Sequence, residues 1–381
     1  MNIQSVLFKI ITIILGTLMM SFAWPLRGQF GHEWGAAITG AIAGCIAAIL
    51  IPWKSFRQAL AQAVFFGTVG FVLGGENIGY GSIIDYILTQ PNLASVIPQL
   101  ATILFIGASW GGIGATYLGY GISEKPISFW DYVIMILLGL GAVIIAAVIN
   151  ANWAYFVFFT LWFILLQLYN LFFKQSQTVW TFGFSGLIGF GLGFLGAVII
   201  LFYGNKGLLP GPPNWWTLRD QIWGGAGGLA LILASWQTIG QGRQPVILNQ
   251  TWFQRFGYIF FVPGICGINL WNVWTKWFQS TPPAPDPVLS AALIVIGAVL
   301  LLGWLLYYLF VNPSVFTGAG LNPMILWSFL FFCFFLRFFA IAKSIVYSGW
   351  GVWETGFTLF IFEAILFFVS IPFVLLGPEN P

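Results

Sequence analysis

Two stretches of this chain set an arginine in the same local sequence. One reads Trp24-Pro25-Leu26-Arg27-Gly28-Gln29, the other Trp216-Thr217-Leu218-Arg219-Asp220-Gln221, and both fit W-x-L-R-x-Q. Each is followed by a Trp-Gly step, Trp34-Gly35 and Trp223-Gly224. The gap from Gln to Trp is four residues in the first and one in the second, so one copy carries a three-residue insertion. Arginine offers a planar fork of N–H donors that matches carboxylate or phosphate. Both copies lead into a glycine-rich stretch, read here as the first turn of a helix with free N–H groups and a positive dipole end. Together they predict an anion-binding mouth. The same arginines would also serve as interfacial residues that hold lipid headgroups.

Other polar residues join this list by position. His32-Glu33 follows Arg27 closely, and adjacent His and Glu suit a proton relay or an ordinary hydrogen-bonding loop. Glu76-Asn77 lies in Gly74-Gly75-Glu76-Asn77-Ile78-Gly79-Tyr80-Gly81, where four glycines in eight residues allow close backbone approach. Glu354, in Trp350-Gly351-Val352-Trp353-Glu354, would face the same mouth. Arg337 and Glu363 each sit inside a run of Phe, Ile and Leu. At 1.5 Å of rise per residue their depths in antiparallel helices are similar, so an intramembrane Arg337–Glu363 ion pair is expected, with a coupling site as the alternative.

The elements that must hold these residues follow from composition. The chain has 381 residues, of which 13 are Lys or Arg and 10 Asp or Glu, a charged fraction of 6%. A soluble domain carries about 25%. Apolar residues make up 59%, and the mean hydropathy is +0.93. So few charges cannot cover a water-exposed surface, which excludes disorder, a coiled coil and a nucleic-acid-binding domain. The one histidine excludes most His-based metal centres, and the three cysteines (Cys45, Cys266, Cys333) form no CxxC or Cys/His cluster. No metal or other cofactor is expected.

The fold class is therefore all-α: a polytopic integral membrane protein, a single transmembrane domain over residues 1–381. About twelve apolar segments of roughly 20 residues are long enough to span. They lie near 7–24, 35–52, 59–75, 97–121, 131–149, 153–173, 179–203, 222–241, 255–275, 288–311, 322–343 and 355–376. Lys9 and the run through Ser21-Phe22-Ala23 have the layout of a signal peptide, and the run is read as the first span. Pro263-Gly264 interrupts the ninth. With both termini in the cytoplasm, Lys9, Lys54, Arg57, Lys125, Lys174, Arg243 and Arg255 lie inside, against Arg27, Lys206, Arg219, Lys276 and Lys343 outside.

Internal repetition is the strongest pattern. Residues 67–74 (GTVGFVLG) and 186–193 (GLIGFGLG) share GxxGFxLG. Each is followed, 43 and 37 residues after its first Gly, by Trp110-Gly111-Gly112-Ile113-Gly114 or Trp223-Gly224-Gly225-Ala226-Gly227. The repeat units are helical hairpins, about 59–121 and 179–241, with weaker relatives at 7–52 and 322–376. Trp in these positions also suits an interfacial belt, and Gly suits helix packing. Trp110 falls mid-span, where a kink or re-entrant turn would explain it. In the other repeat Glu76 aligns with Leu195 and so breaks the symmetry.

These features predict a multi-pass transporter or permease of an inner or plasma membrane, for a small or lipid-linked anionic substrate. Arg27, Gln29, His32, Glu33, Glu76, Asn77, Arg219, Gln221 and Glu354 are its candidate binding residues. The alternatives are a structural subunit of a membrane complex, which needs only packing, and an integral-membrane transferase with its site on the non-cytoplasmic face. The expected partners are membrane lipids, the anionic substrate and, in the subunit reading, other membrane proteins, with no nucleic acid.

Overall fold

A computed structural model describes residues 3–30, 32–51, 53–75, 80–149, 154–210 and 215–247. Over these residues the chain is all-helical. The helices are α1 (Ile3–Phe30), α2 (His32–Ile49), α3 (Lys54–Gln58), α4 (Leu60–Gly74), α5 (Tyr80–Thr89), α6 (Ile97–Gly121), α7 (Phe129–Ile149), α8 (Ala154–Tyr169), α9 (Gln177–Asn205) and α10 (Trp215–Gly240). A 3₁₀ turn, Leu93–Val96, leads into α6, and a π-helical turn, Asn170–Lys174, ends α8. Five stretches are long and apolar enough to cross a membrane: Val6–Pro25, Leu93–Gly121, Val157–Lys174, Gln177–Asn205 and Trp215–Gly240. Ile144, Val148, Ile188, Leu192 and Leu233 stand exposed on the outer faces of α7, α9 and α10. An apolar exterior of this kind marks a membrane-embedded protein. The first eight expected spans coincide with α1, α2, α4 and α6–α10. The last four, and the expected hairpin 322–376, lie outside the described residues.

Local chemistry sets the helix ends. Ser176 caps α9 by accepting a hydrogen bond from the Val179 N–H at 3.3 Å. Gly207 and Gly242, with φ of +70° and +71°, turn the chain after α9 and α10. Two ends differ from expectation. α1 runs on through Pro25 to Phe30, and α10 starts at Trp215 rather than near 222. Proline is tolerated in a membrane helix where neighbouring elements resolve the freed backbone group, and Pro25 is buried.

Six helices close on themselves. α1 packs on α2, α2 on α4, α4 on α6, α6 on α9, α9 on α10, and α10 returns to α1. The ring thus consists of three hairpins: α1/α2, α4/α6 and α9/α10. The α7/α8 hairpin lies outside it, with α8 against α6.

Glycine brings backbones into contact at all three seams between hairpins. A Cβ on Gly67 would lie 2.5 Å from the Gly40 carbonyl, and one on Gly228 2.5 Å from the Gly16 carbonyl. At the third seam Gly111 and Gly186 each face the other's carbonyl. Within the hairpins, Gly114 lies beneath the Phe71 ring and Gly227 beneath the Phe190 ring. Gly70 meets Gly114 and Tyr117, as Gly189 meets Ala226 and Ala230. Because Gly40 meets Gly67 as Gly111 meets Gly186, Thr39 takes in α2 the place that Trp110 takes in α6. The Trp34-Gly35 pair sits five residues earlier.

The ring axis is filled by aromatic side chains. Trp24, Phe71 and Phe190, one from the first helix of each hairpin, meet with centroids 5.0 to 6.1 Å apart. Trp110 and Trp223 join them, each within 5.4 Å of Trp24. All five are buried. The Trp110 indole N–H donates to the Phe71 carbonyl at 2.8 Å. α6 runs unbroken through this position, so Trp110 does not mark a re-entrant turn.

Polar ties fix the outer hairpin and the end of the ring remote from Arg219. Gln167 of α8 donates to the Thr116 hydroxyl of α6 at 2.8 Å, and Thr116 to the Gly112 carbonyl at 2.6 Å. Asp131 opens α7 and accepts from Lys174 at 2.8 Å, from Ser128 and from the Tyr169 hydroxyl. Glu124, in the loop after α6, accepts from the Gln177 N–H at 2.7 Å and the Ser176 hydroxyl at 2.9 Å. It thereby satisfies an orphan donor at the positive end of α9. Burial works against the charged form, but the nearby Thr178 hydroxyl and the hydrogen bonds from Gln177 and Ser176 outweigh it and hold the Glu124 carboxyl below its usual range.

Two predictions follow from this packing. Gly111→Ala forces a methyl onto the Gly186 carbonyl and should cost roughly 1–3 kcal/mol as an overpacking change. Gly196→Ala, on the open face of α9 where nothing lies within 4 Å, should leave the unfolding temperature in detergent unchanged or raised. Equal effects would refute the seam. For Glu124, a folded-state pKa below the unfolded value of about 4.3 means stability that is present above that value. It is lost as the pH falls through the folded pKa. The difference in unfolding temperature between wild type and Glu124→Gln should therefore be present at pH 7 and vanish in acid.

Candidate functional site

Arg219 lies on α10 one helical turn before Trp223, on the same face, so it stands directly beyond the aromatic plug. It is 5% exposed, and its neighbours Asp220 and Gln221 are also buried. Three consecutive buried polar residues enclose this end of α10 on most sides. The guanidinium folds back on the next residue: Nε and Nη2 donate to Asp220 Oδ1 at 3.1 and 2.6 Å. Its Cζ lies 4.6 Å from the centroid of the Trp216 ring, a cation–π contact. Nη1 has no hydrogen-bond partner among the described residues. A charge enclosed in an apolar helix end costs several kcal/mol unless paired, so Asp220 is what allows Arg219 to be there.

Aromatic residues form the floor of the site. Phe194 stacks on Trp223 at 3.7 Å with planes 7° apart. Tyr80 closes on both, at 5.6 Å from Phe194 and 6.2 Å from Trp223. Tyr80 opens α5, which turns Tyr80, Ile84 and Ile87 inward and Asp85 and Tyr86 outward. This short amphipathic helix therefore caps the Arg219 end. Gly75 precedes it because its Cβ position is occupied by the Trp110 indole. Gly74 and Gly75 of the glycine-rich segment serve packing against Trp110.

The two arginines come to the same end of adjacent, antiparallel helices. Gly224 of α10 faces Met20 of α1, and Gly228 faces Gly16. Continuing that register, Arg219 comes level with Pro25, and Arg27 is two residues further along α1. Arg27 and Gln29 occupy the last turn of α1, and His32 and Glu33 the first turn of α2. Glu76, Asn77, Glu354, Arg337 and Glu363 lie outside the described residues.

Two readings of the W-x-L-R-x-Q motif need correction. Its copies end one helix and begin another that runs the opposite way, so they are not equivalent in space. Trp24 packs at the ring axis with Phe71, Phe190, Trp110 and Trp223. Nor does the Trp223-Gly224-Gly225 step offer free N–H groups, because α10 has already begun at Trp215 and those amides lie inside its hydrogen-bonded ladder. The Arg219 side chain, not the glycine backbone, is the donor here. The counter-ion, Asp220, fills the variable position of the motif, where the sequence pattern does not single it out. The shared Phe of GxxGFxLG was the available sign of the aromatic axis. Among the described residues no group of three His, Cys, Asp or Glu gathers to hold a metal ion.

Comparison with known proteins returns no matching family model, no matching curated protein and no matching solved structure. Fold and site thus define a class: a membrane-embedded, all-helical protein whose helix ring is filled by aromatics and carries a buried arginine at one end.

The register makes a distance prediction. Adjacent helix axes lie about 8–10 Å apart, and one turn adds about 5.4 Å. Spin labels at positions 27 and 219, with the native cysteines replaced by serine, should report a separation well under roughly 25 Å by pulsed electron resonance. A longer distance would separate the two arginines.

Proposed function

We propose that this protein is a multi-pass transporter or permease of an inner or plasma membrane, for a small or lipid-linked anionic substrate. The observation that carries the reading is the buried Arg219 guanidinium, whose Nη1 has no hydrogen-bond partner among the described residues, at the end of a closed helix ring. Packing alone requires no such group, and ionisable residues enclosed in membrane helices generally serve a pathway. The ring is read as three copies of one hairpin, with α1/α2 joining the α4/α6 and α9/α10 pair through the shared places of Trp24, Phe71 and Phe190. Repeated units around a common axis are a transporter architecture. In the full reading, about twelve spans begin and end in the cytoplasm, and the Arg219 end faces outward.

The filled axis favours a second reading, a structural subunit of a membrane complex, because no open path is needed for that role. In the transport reading the aromatic rings move apart in another state. Flux separates the two. The full-length protein in phosphatidylcholine liposomes should release entrapped inorganic phosphate or gluconate, or flip a fluorescent phosphatidate, faster than empty liposomes. A hydrogen bond to a charged group contributes about 1.5–3 kcal/mol, so Arg219→Gln should slow the active probe roughly tenfold or more. No protein-dependent movement of any of the three probes would favour the subunit.

A further inference from the structure

The geometry points to Arg219 as a one-edge oxyanion clamp, in which Asp220 is a built-in competitor for the same guanidinium. This rests on the anion reading above and specifies its chemistry. A guanidinium has two edges that can each present a pair of parallel N–H groups. The edge formed by Nε and Nη2 is taken by a single oxygen, Asp220 Oδ1. The other edge is formed by Nη1 and the second N–H of Nη2. Its Nη1 is buried and without a hydrogen-bond partner among the described residues.

A buried donor left without a partner is destabilising, the more so on a charged group. An acceptor at Nη1 would relieve that cost. What fits is a group with two coplanar acceptor oxygens and negative charge, that is, a carboxylate or a phosphate. Trp216 covers one face of the guanidinium at 4.6 Å, which restricts approach to the plane of the fork. Bidentate binding is the natural result. The aromatic floor of Trp223, Phe194 and Tyr80, one turn away, favours an oxyanion that carries an apolar or planar body.

Asp220 acts in the opposite direction. It neutralises the arginine and so makes burial of the site tolerable, but it also lowers the affinity for a second negative group. Removing its charge should strengthen ligand binding while weakening the resting structure. A merely structural ion pair predicts no such gain.

The test uses the full chain in nanodiscs. Inorganic phosphate and gluconate are titrated into discs of phosphatidylcholine alone, and a second set of discs contains phosphatidate. Binding is read by calorimetry for the soluble anions and by the rise in unfolding temperature in all arms. Wild type should respond to at least one probe, and the responding arm tells whether the oxyanion is free or part of a lipid headgroup. Arg219→Gln should abolish the response. Arg219→Lys, which keeps the charge but loses the fork, should weaken it about tenfold or more. Asp220→Asn should tighten it about tenfold while lowering the unfolding temperature of the ligand-free protein. Three results would each overturn the clamp: no response of wild type to any probe, wild-type affinity in Arg219→Lys, or unchanged or weaker binding in Asp220→Asn. If Arg219→Gln does not fold, the other two variants still decide. Binding without flux would remove the transport reading and leave the clamp. Flux that survives in Arg219→Gln, without Arg219-dependent binding, would do the reverse.

Discussion

Helices in a bilayer gain little from hiding apolar surface from one another, because lipid is as apolar as leucine. Their association depends on how closely they can approach. In this protein the approach is backbone to backbone at all three seams, as at Gly40 on Gly67, Gly111 on Gly186 and Gly228 on Gly16. Each place joins one hairpin to the next, and the three contacts together close the ring. They also fix its radius. Six helices drawn in this tightly leave an axis that side chains can span, and five aromatic rings meet there. A methyl at any seam would push the helices apart and leave those rings unsupported. Seam glycines and axial aromatics are thus one device seen from its two sides.

The ring is regular in backbone contact and irregular in what it carries. Trp110 and Trp223 stand at matching places on α6 and α10, but α2 has Thr39 there. Where α4 and α9 place Gly74 and Gly193, one turn beyond the axial Phe, α1 places Arg27. Polar and charged residues accumulate at one end of the ring, where α1 ends and α10 begins, and Tyr80 of α5 meets Trp223 near that end. The opposite end is tied differently, through Glu124, Ser123 and Ser176 between loop and helix start. The two ends therefore differ in kind: one is a network in which the carboxylate has its donors supplied, the other holds a cation with a donor to spare.

How much of this the sequence shows depends on the range of the interaction concerned. Helix positions along 7–241 are legible because each apolar run is its own evidence. The glycine patterns at 67–74 and 186–193 mark real packing positions because a close approach leaves no choice of residue. Helix starts were less legible: Trp215 and Trp216 are polar-flanked and look like loop, yet α10 begins there because the burial of Arg219, Asp220 and Gln221 is a tertiary effect. The pairing of Arg219 with its own neighbour was not legible either. Successive helix residues point about 100° apart, and only an enclosed guanidinium has reason to fold back. The meeting of Trp24 with Phe71, Phe190, Trp110 and Trp223 is not legible, since a ring axis joins residues that are distant in sequence.

Burial of Arg219 also bears on how the molecule could work. An isolated arginine at this depth would draw water or headgroups toward itself and loosen the helix end. Asp220 prevents that at the cost of a second desolvated charge, and Trp216 adds a contact that works best when water is excluded. The result is a cation stable enough to be enclosed and still incompletely satisfied. Its position is one turn from the aromatic rings that fill the axis, on the same helix face. A ligand that engages the free edge would change the charge balance next to Trp223, and Trp223 touches Trp24, Trp110, Phe194 and Tyr80. Through those contacts an event at one guanidinium reaches all three hairpins and the capping helix α5, with no further residue needed to carry it.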